Sequence, residues 1–244
     1  MKIEIISDIH SNLEAFKSAI KFYEKNKIDK LIICGDIIGY GPDPVECINL
    51  AENNSDIILK GNHEEGIIKN DFSRFKKYAK ISLEWTINEI KEKIEIIKRW
   101  KEKIEIDDLL FVHASITDPY YKYLFKTVDA EEEFEKLEKK VCFIGHTHIP
   151  VVFKKNTETE KIEKILPDFS GRIELDIEEN FKYIINVGSV GFPRDGFPFL
   201  CVSIYDTERK NFKLYRIEYE IEITLRKILE KGLPSKICNL LKGF

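Results

Sequence analysis

The sequence predicts an α/β protein in which a parallel sheet covered by helices leads into a β-rich second half. Three observations carry this reading. Short apolar runs alternate with helical patterns through the first quarter of the chain. After Val141, strand patterns follow one another until a closing helix. All five histidines sit just beyond apolar runs.

Taken in order, Lys2–Ser7 reads as a strand and Asn12–Asn26 as a helix, with Asn12 as its N-cap. Lys30–Cys34, Pro44–Asn53 and Asp56–Leu59 read as strand, helix and strand. That alternation argues for parallel strands under helices. The segment from Glu64 to about Lys103 is long, charged and helix-forming, with Ile81, Trp85, Ile90 and Ile94 among its apolar positions. It is read as a helical, cap-like insertion over residues 64–103. Leu109–Val112 is a strand, Ala130–Lys140 a helix and Val141–Ile144 a strand. Strand patterns follow at Val151–Lys155, Ile162–Leu166, Arg172–Asp176, Tyr183–Val187, Leu200–Tyr205 and Phe212–Tyr219, then a helix at Ile221–Lys231. With no repeat or Pro/Gly/Ser linker, residues 1–244 read as one domain with two sheets.

Composition narrows the function. The chain is 43% hydrophobic and 34% charged, which suits a sizeable globular core. No apolar run approaches the roughly 20 residues of a membrane span. The start, "MKIEIISDIH", lacks the pattern of a signal peptide, so a cytoplasmic location is expected. The net charge is −4 and there is no long basic run, so no stable nucleic-acid partner is expected. Cys34, Cys47, Cys142, Cys201 and Cys238 are scattered and form no C-x-x-C, which reads as reduced core thiols.

The polar residues that follow the strands carry the chemistry. Asp8 and His10 follow the first, and Gly35 and Asp36 the second. Gly61, Asn62 and His63 follow the third. His113 follows "LLFV", and His146 and His148 follow "VCFI". Carboxyl ends of strands are where open α/β sheets bind ligands. Each item alone could be a solvated turn or a satisfied buried histidine. Five strand ends, each with carboxylate, amide or imidazole, are hard to obtain from structural roles, because burying them together without a metal is costly. Imidazole, carboxylate and amide oxygen suit Mn, Fe, Co, Ni or Zn. Seven donors exceed one tetrahedral ion and suit two ions sharing a carboxylate, roughly 3.5–4 Å apart. Two divalent ions with Asp8, Asp36 and a bridging hydroxide keep a net charge of about +1, which attracts a phosphate ester.

The ordered set Asp8-x-His10, Gly35-Asp36, Gly61-Asn62-His63-Glu64, His113 and Gly145-His146-x-His148 resembles the calcineurin-like metallophosphoesterases over about residues 1–200. The resemblance implies a four-layer α/β/β/α sandwich of two mixed β-sheets flanked by helices. It also implies two divalent transition metal ions, with Mn the first choice and Ni, Fe, Co or Zn the alternatives. Asp8, His10 and His148 would hold one ion, Asn62, His113 and His146 the other, and Asp36 would bridge. His63 would be catalytic, stabilising developing charge and protonating the leaving oxygen.

The sequence departs from the family's Ser/Thr protein phosphatases, which carry G-D-x-x-D-R. Here the stretch is "GDIIGYGPDP", with Gly39 and Tyr40 in place of that Asp and Arg. Together with "HASITDPYYKYL" and "NVGSVGFPRDG" it resembles a prokaryotic phosphoesterase branch. Arg194 is either a replacement phosphate clamp or a solvated loop residue. Tyr120, Tyr121 and Tyr123 either line a substrate pocket, with Tyr123 the candidate contact, or belong to core and rim.

The expected function is hydrolysis of phosphodiester or nucleotide-type small substrates by attack of a metal-bound hydroxide. A phosphomonoesterase or protein phosphatase is one alternative, and a non-catalytic metal-binding scaffold another. A nuclease would want a basic groove, which the acidic balance disfavours. The expected partner is a small phosphate ester. A homo-oligomer is compatible with the sequence, but no exposed apolar stripe singles one out.

Overall fold

The computed structural model describes residues 1–242. The chain runs β1 (Lys2–Ile6), α1 (Leu13–Lys25), β2 (Lys30–Ile33), α2 (Pro44–Asn54), β3 (Ile57–Ile58), α3 (Asn62–Lys69), α4 (Lys77–Glu89), a 3₁₀ turn (Lys91–Lys93) and α5 (Ile94–Ile97). It continues through β4 (Lys103–Ile106), β5 (Leu109–Val112), α6 (Thr127–Lys136), β6 (Val141–Ile144), β7 (Val151–Asn156), β8 (Ile162–Ile165) and β9 (Ile173–Asp176). It closes with β10 (Phe181–Asn186), β11 (Leu200–Asp206), β12 (Asn211–Ile217), α7 (Ile221–Glu230) and α8 (Ser235–Leu241).

Two six-stranded sheets form, in the orders β3-β2-β1-β11-β12-β9 and β4-β5-β6-β10-β7-β8. Both are mixed. In the first, β1 is parallel to β2 and β2 to β3, while β11, β12 and β9 are antiparallel to their neighbours. In the second, β5, β6 and β10 are parallel and the remaining pairings antiparallel.

The two-residue period of a strand builds the layers. In β1 and β2, Ile3, Ile5 and Ile32 point between the sheets, where they meet Phe111, Phe143, Tyr183 and Phe212. Ile6, Leu31 and Ile33 point outward onto Phe16 and Ala19 of α1 and Cys47 and Ile48 of α2. In the other sheet Leu110, Val112, Cys142 and Ile144 point outward onto Ala130 and Phe134 of α6. Helix, sheet, sheet, helix is the result, and it matches the four-layer expectation. Asn12 caps α1, its Oδ1 accepting from the Ala15 amide at 3.2 Å.

The 64–103 segment is helical only as far as Ile97. Ile67, Leu83, Ile90, Ile97 and Trp100 pack into the outer core of the first sheet rather than standing over the sheet edge. At its end Lys103 begins β4, an antiparallel partner of β5. The expected helix over Ala130–Lys140 starts earlier, at Thr127, and ends at Lys136. Among the described residues no helix is long and apolar enough to cross a membrane. All five cysteines are free and buried.

One strand position works against the fold. Glu4 lies on the outer face of β1, paired with Leu31 and Ile204, and is fully buried. Neither of its carboxylate oxygens has a hydrogen-bond partner among the described residues. Burial pushes its carboxyl well above the usual range. The folded state therefore binds a proton that the unfolded state has released. Stability falls as pH rises from the unfolded value toward the folded one, and stays lowered above it. Glu4→Leu is expected to raise the melting temperature at pH 7 by about 3–8 °C, from an unpaired-group cost of about 1–3 kcal/mol. The gain should shrink as pH drops below about 4.5, where both states are protonated. Equal melting temperatures at pH 7 would show that Glu4 costs nothing.

Candidate active site

The six parallel strands aim their carboxyl ends at one edge. Asp8 and His10 leave β1, Asp36 leaves β2, and Asn62 and His63 open α3 after β3. His113 leaves β5, His146 and His148 leave β6, and the loop carrying Arg194 leaves β10. The structure brings all of these to one place.

Two groups of donor atoms form. In the first, His148 Nε2 lies 3.3 Å and His10 Nε2 3.8 Å from Asp8 Oδ1, and the two Nε2 atoms are 3.0 Å apart. In the second, Asn62 Oδ1 lies 3.1 Å from His113 Nε2 and 2.9 Å from His146 Nδ1. Asp36 Oδ2 sits between them, 3.6 Å from His10 Nε2 and 3.5 Å from His113 Nε2. One ring nitrogen of His63 also lies within 4.8 Å of donor atoms of His10 and Asp36.

The hydrogen bonds behind these atoms fix which lone pairs face inward. His10 Nδ1 is 3.1 Å from the Ile38 carbonyl, His148 Nδ1 2.6 Å from the Phe192 carbonyl and His113 Nδ1 2.7 Å from the Cys34 carbonyl. A carbonyl only accepts, so each Nδ1 carries the proton and each Nε2 presents a lone pair. Lone pairs 3.0 Å apart, beside two carboxylates, repel unless a cation lies among them. Imidazoles oriented through their far nitrogen in this way are characteristic of metal ligands. Asp8 Oδ1 and His146 Nε2 are buried with no partner among the described residues.

The electrostatics agree. Burial pushes the Asp8 carboxyl up to about 7, with Asp36 adding to the effect and His113 opposing it. Burial, then the Glu64 charge, raises Asp36. Burial holds His10, His146 and His148 well below the usual imidazole value. A divalent cation relieves both problems, because it stabilises the carboxylates and accepts from neutral imidazoles. The donor set therefore fits divalent metal ions.

The backbone is strained where it presents these groups. Asp8, His10, Asp36, Tyr40, His146 and His148 have φ of 55°, 50°, 53°, 56°, 65° and 61°. Each such non-glycine residue costs about 1 kcal/mol or more, and such strain clusters at functional sites. Glu64 anchors the turns, its carboxylate accepting from the amides of Asp36 (2.9 Å), Ile38 (3.1 Å) and Gly61 (2.7 Å). Asn186 Nδ2 donates to the Gly145 carbonyl and, at 3.0 Å, to Thr147 Oγ1, bracing the turn that carries His146 and His148. Neither Glu64 nor Asn186 stands out as a support in the sequence, since each only binds backbone or side chains of a turn. The position of Glu64 directly after Gly61-Asn62-His63 was the one available signal.

His63 is buried against aromatic rings rather than a carboxylate. Its ring centroid is 4.5 Å from that of His10, 4.8 Å from Tyr40 and 5.1 Å from Phe75, and its Nδ1 has no partner among the described residues. Burial, then the nearby His113, holds its imidazole well below the usual value. Gly39 makes room for it: a Cβ there would lie 2.0 Å from His63 Nδ1.

A cavity of about 530 Å³ opens over the site. Asn62, His63, His146 and Arg194 form its polar floor and wall, and Tyr40, Phe75, Tyr78, Tyr121 and Tyr123 line it. The Tyr123 ring is 4.2 Å from that of His146. Tyr120 does not line it and is buried. Arg74 and Lys76 reach the cavity from the loop between α3 and α4, and Tyr78 and Ala79 from the first turn of α4, so residues 74–79 are the part of the 64–103 segment that borders it. Glu133 of α6 ties down the loop bearing the tyrosines, accepting from the amides of Ile116 (2.7 Å) and Thr117 (3.0 Å).

Two mixed sheets flanked by helices, with histidines and carboxylates at the shared strand edge, define a metallophosphoesterase. The chain belongs to the calcineurin-like phosphoesterase superfamily, whose domain model matches residues 1–210. It is 36% identical over 241 residues to an uncharacterized protein of Methanocaldococcus jannaschii, covering 96% of this chain and 94% of that one. It is 28% identical over 196 residues to the symmetrical bis(5'-nucleosyl)-tetraphosphatase of Wigglesworthia glossinidia brevipalpis, covering 75% of this chain and 69% of that protein. A crystal structure of a metallophosphoesterase from Sphaerobacter thermophilus superposes with a TM-score of 0.88 at 30% identity, covering 100% of this chain and 98% of that one. A hypothetical protein from Pyrococcus horikoshii shares the fold at a TM-score of 0.80 and 18% identity, covering 98% and 97%. Family membership makes the chain a hydrolase of phosphoesters.

Proposed function

We propose that this protein is a binuclear metal-dependent phosphodiesterase acting on small, nucleotide-type substrates. The observation that carries the reading is Asp36 Oδ2, set between His10 and His113 at nearly equal distances. A carboxylate so placed can serve two ions. Asp8, His10 and His148 would hold one, and Asn62, His113 and His146 the other. Bound there, divalent ions supply Lewis acidity and a water made acidic near neutral pH. Mn is the first choice.

The protein's own groups would do the rest. His63 would donate a hydrogen bond to the oxygen that gains charge as the ester bond breaks. The neutral form that burial favours already has the N–H this requires. An anionic substrate alongside would favour the protonated ring and so proton transfer to the leaving oxygen. Arg194 would fork onto non-bridging phosphate oxygens. Tyr121 and Tyr123 offer flat faces to a base. The symmetrical tetraphosphatase among the relatives, named for a nucleotide substrate, supports this substrate class.

The test is hydrolysis by metal-stripped protein of bis(4-nitrophenyl) phosphate against 4-nitrophenyl phosphate, with Mn, Ni, Co, Mg and Zn added back singly. Metal-dependent turnover with the diester ahead is the expected result. A monoester preference would reassign the protein as a phosphatase. Ion binding without turnover on either ester would favour a scaffold.

A further inference from the structure

The stretch that departs from the G-D-x-x-D-R pattern contains a residue to which no role has been attached. Tyr40 follows Gly39, is 7% exposed and takes a φ of 56°, a costly conformation for an aromatic residue. Its ring sits among those of His10 (4.5 Å), His63 (4.8 Å) and Phe192 (5.4 Å), so it is fixed on three sides. Its hydroxyl points to Arg194, whose Nη2 donates to it at 3.4 Å, and the guanidinium carbon lies 5.9 Å from the ring centroid.

Arg194 has few other ties. Among the described residues its guanidinium forms no ion pair, because the neighbouring carboxylate, Asp195, turns away to Arg216. Its backbone amide donates to the His148 carbonyl at 3.1 Å, so the main chain is docked on the site while the side chain reaches into the cavity. A half-buried guanidinium without a carboxylate is held ready for an anion, and a long side chain so held loses less freedom when the anion arrives.

We propose that Tyr40 is a positioning residue for Arg194: its wedged ring and hydroxyl hold the guanidinium over the candidate metal site, where it grips a non-bridging phosphate oxygen. The inference rests on the function proposed above. In the protein phosphatases' pattern an arginine stands in this turn; here the turn supplies the holder and the β10 loop supplies the guanidinium.

The test is a double-mutant cycle on the metal-loaded protein. It reads KM and kcat for bis(4-nitrophenyl) phosphate and, separately, the dissociation constant of inorganic phosphate by calorimetry. Tyr40→Phe keeps the ring and removes the hydroxyl. It is expected to raise KM and the phosphate dissociation constant together, about 3- to 10-fold, more than it lowers kcat. Arg194→Ala should weaken phosphate about 30-fold or more. With Arg194→Ala already present, Tyr40→Phe should change phosphate binding by less than about 2-fold. Effects that multiply instead would mean Tyr40 acts through something other than Arg194, and would overturn the proposal. An Arg194→Ala protein that binds phosphate as well as the parent would remove the clamp and the proposal with it, leaving the metal reading intact. Absence of metal-dependent turnover in the parent would instead sink the proposed function, and the phosphate titrations would still decide the pair. Should Tyr40→Phe melt early, Arg194→Lys keeps the charge but loses the fork, and its failure to weaken phosphate would equally overturn the proposal.

Discussion

His63→Ala is expected to lower metal-dependent turnover of an aryl phosphodiester by about 100- to 10,000-fold, the range for losing a positioned acid. The ion content of the chain should stay unchanged. The split between the two readouts is the point. His63 lies close enough to His10 and Asp36 to offer a ligand atom. Its packing against Tyr40 and Phe75 instead resembles that of a group held at the cavity wall. Ion content by mass spectrometry distinguishes the two. Retained metal with lost turnover makes His63 a group that acts on substrate. Lost metal makes it a ligand, and the acid must then be sought elsewhere. The substitution also leaves a hole among three rings, so a melting curve should accompany it.

Asp36→Asn is expected to weaken both ions together and abolish turnover. An outer partner of a metal ligand is worth about 10- to 100-fold in affinity, so a shared ligand should cost at least that at each ion. Asparagine keeps the shape and can still accept from the His63 amide, which Asp36 Oδ1 does at 2.9 Å. What it removes is the charge facing His10 and His113. Titration of the apoprotein with Mn, followed by heat release, should show two weakened events. Weakening of one event with the other unchanged would mean that Asp36 serves one ion, and its assignment as the shared ligand would fall.

Much of this site is legible in the sequence because its chemistry is written at strand ends. An apolar run followed by Asp-x-His or Gly-His-Thr-His places its polar groups at an edge whatever the details of packing. The fold class follows from the same runs. What the sequence hides depends on partners far along the chain. "KEKIEI" before Asp107 fits helix and strand periods alike, and only pairing with β5 makes Lys103–Ile106 a strand. Glu4 reads as the polar face of an amphipathic strand, yet α1 covers that face. Ser235–Leu241 is too short to show a helical period, and it forms because Ile237 and Leu241 close over Tyr40 and Phe192. Tyr40 carries no signal of its own. Its setting is made by His10, His63, Phe192 and Arg194, which come from three separate segments, after β1, β3 and β10.

The missing side chain at position 39 bears on ancestry. Gly39 adopts a φ of 87°, and any Cβ there would strike the His63 ring. A mutation installing the aspartate of the protein-phosphatase pattern would therefore displace the very histidine it is meant to serve. To pass from one form of the turn to the other, the imidazole must be re-seated at the same step as the side chain at position 39 is gained.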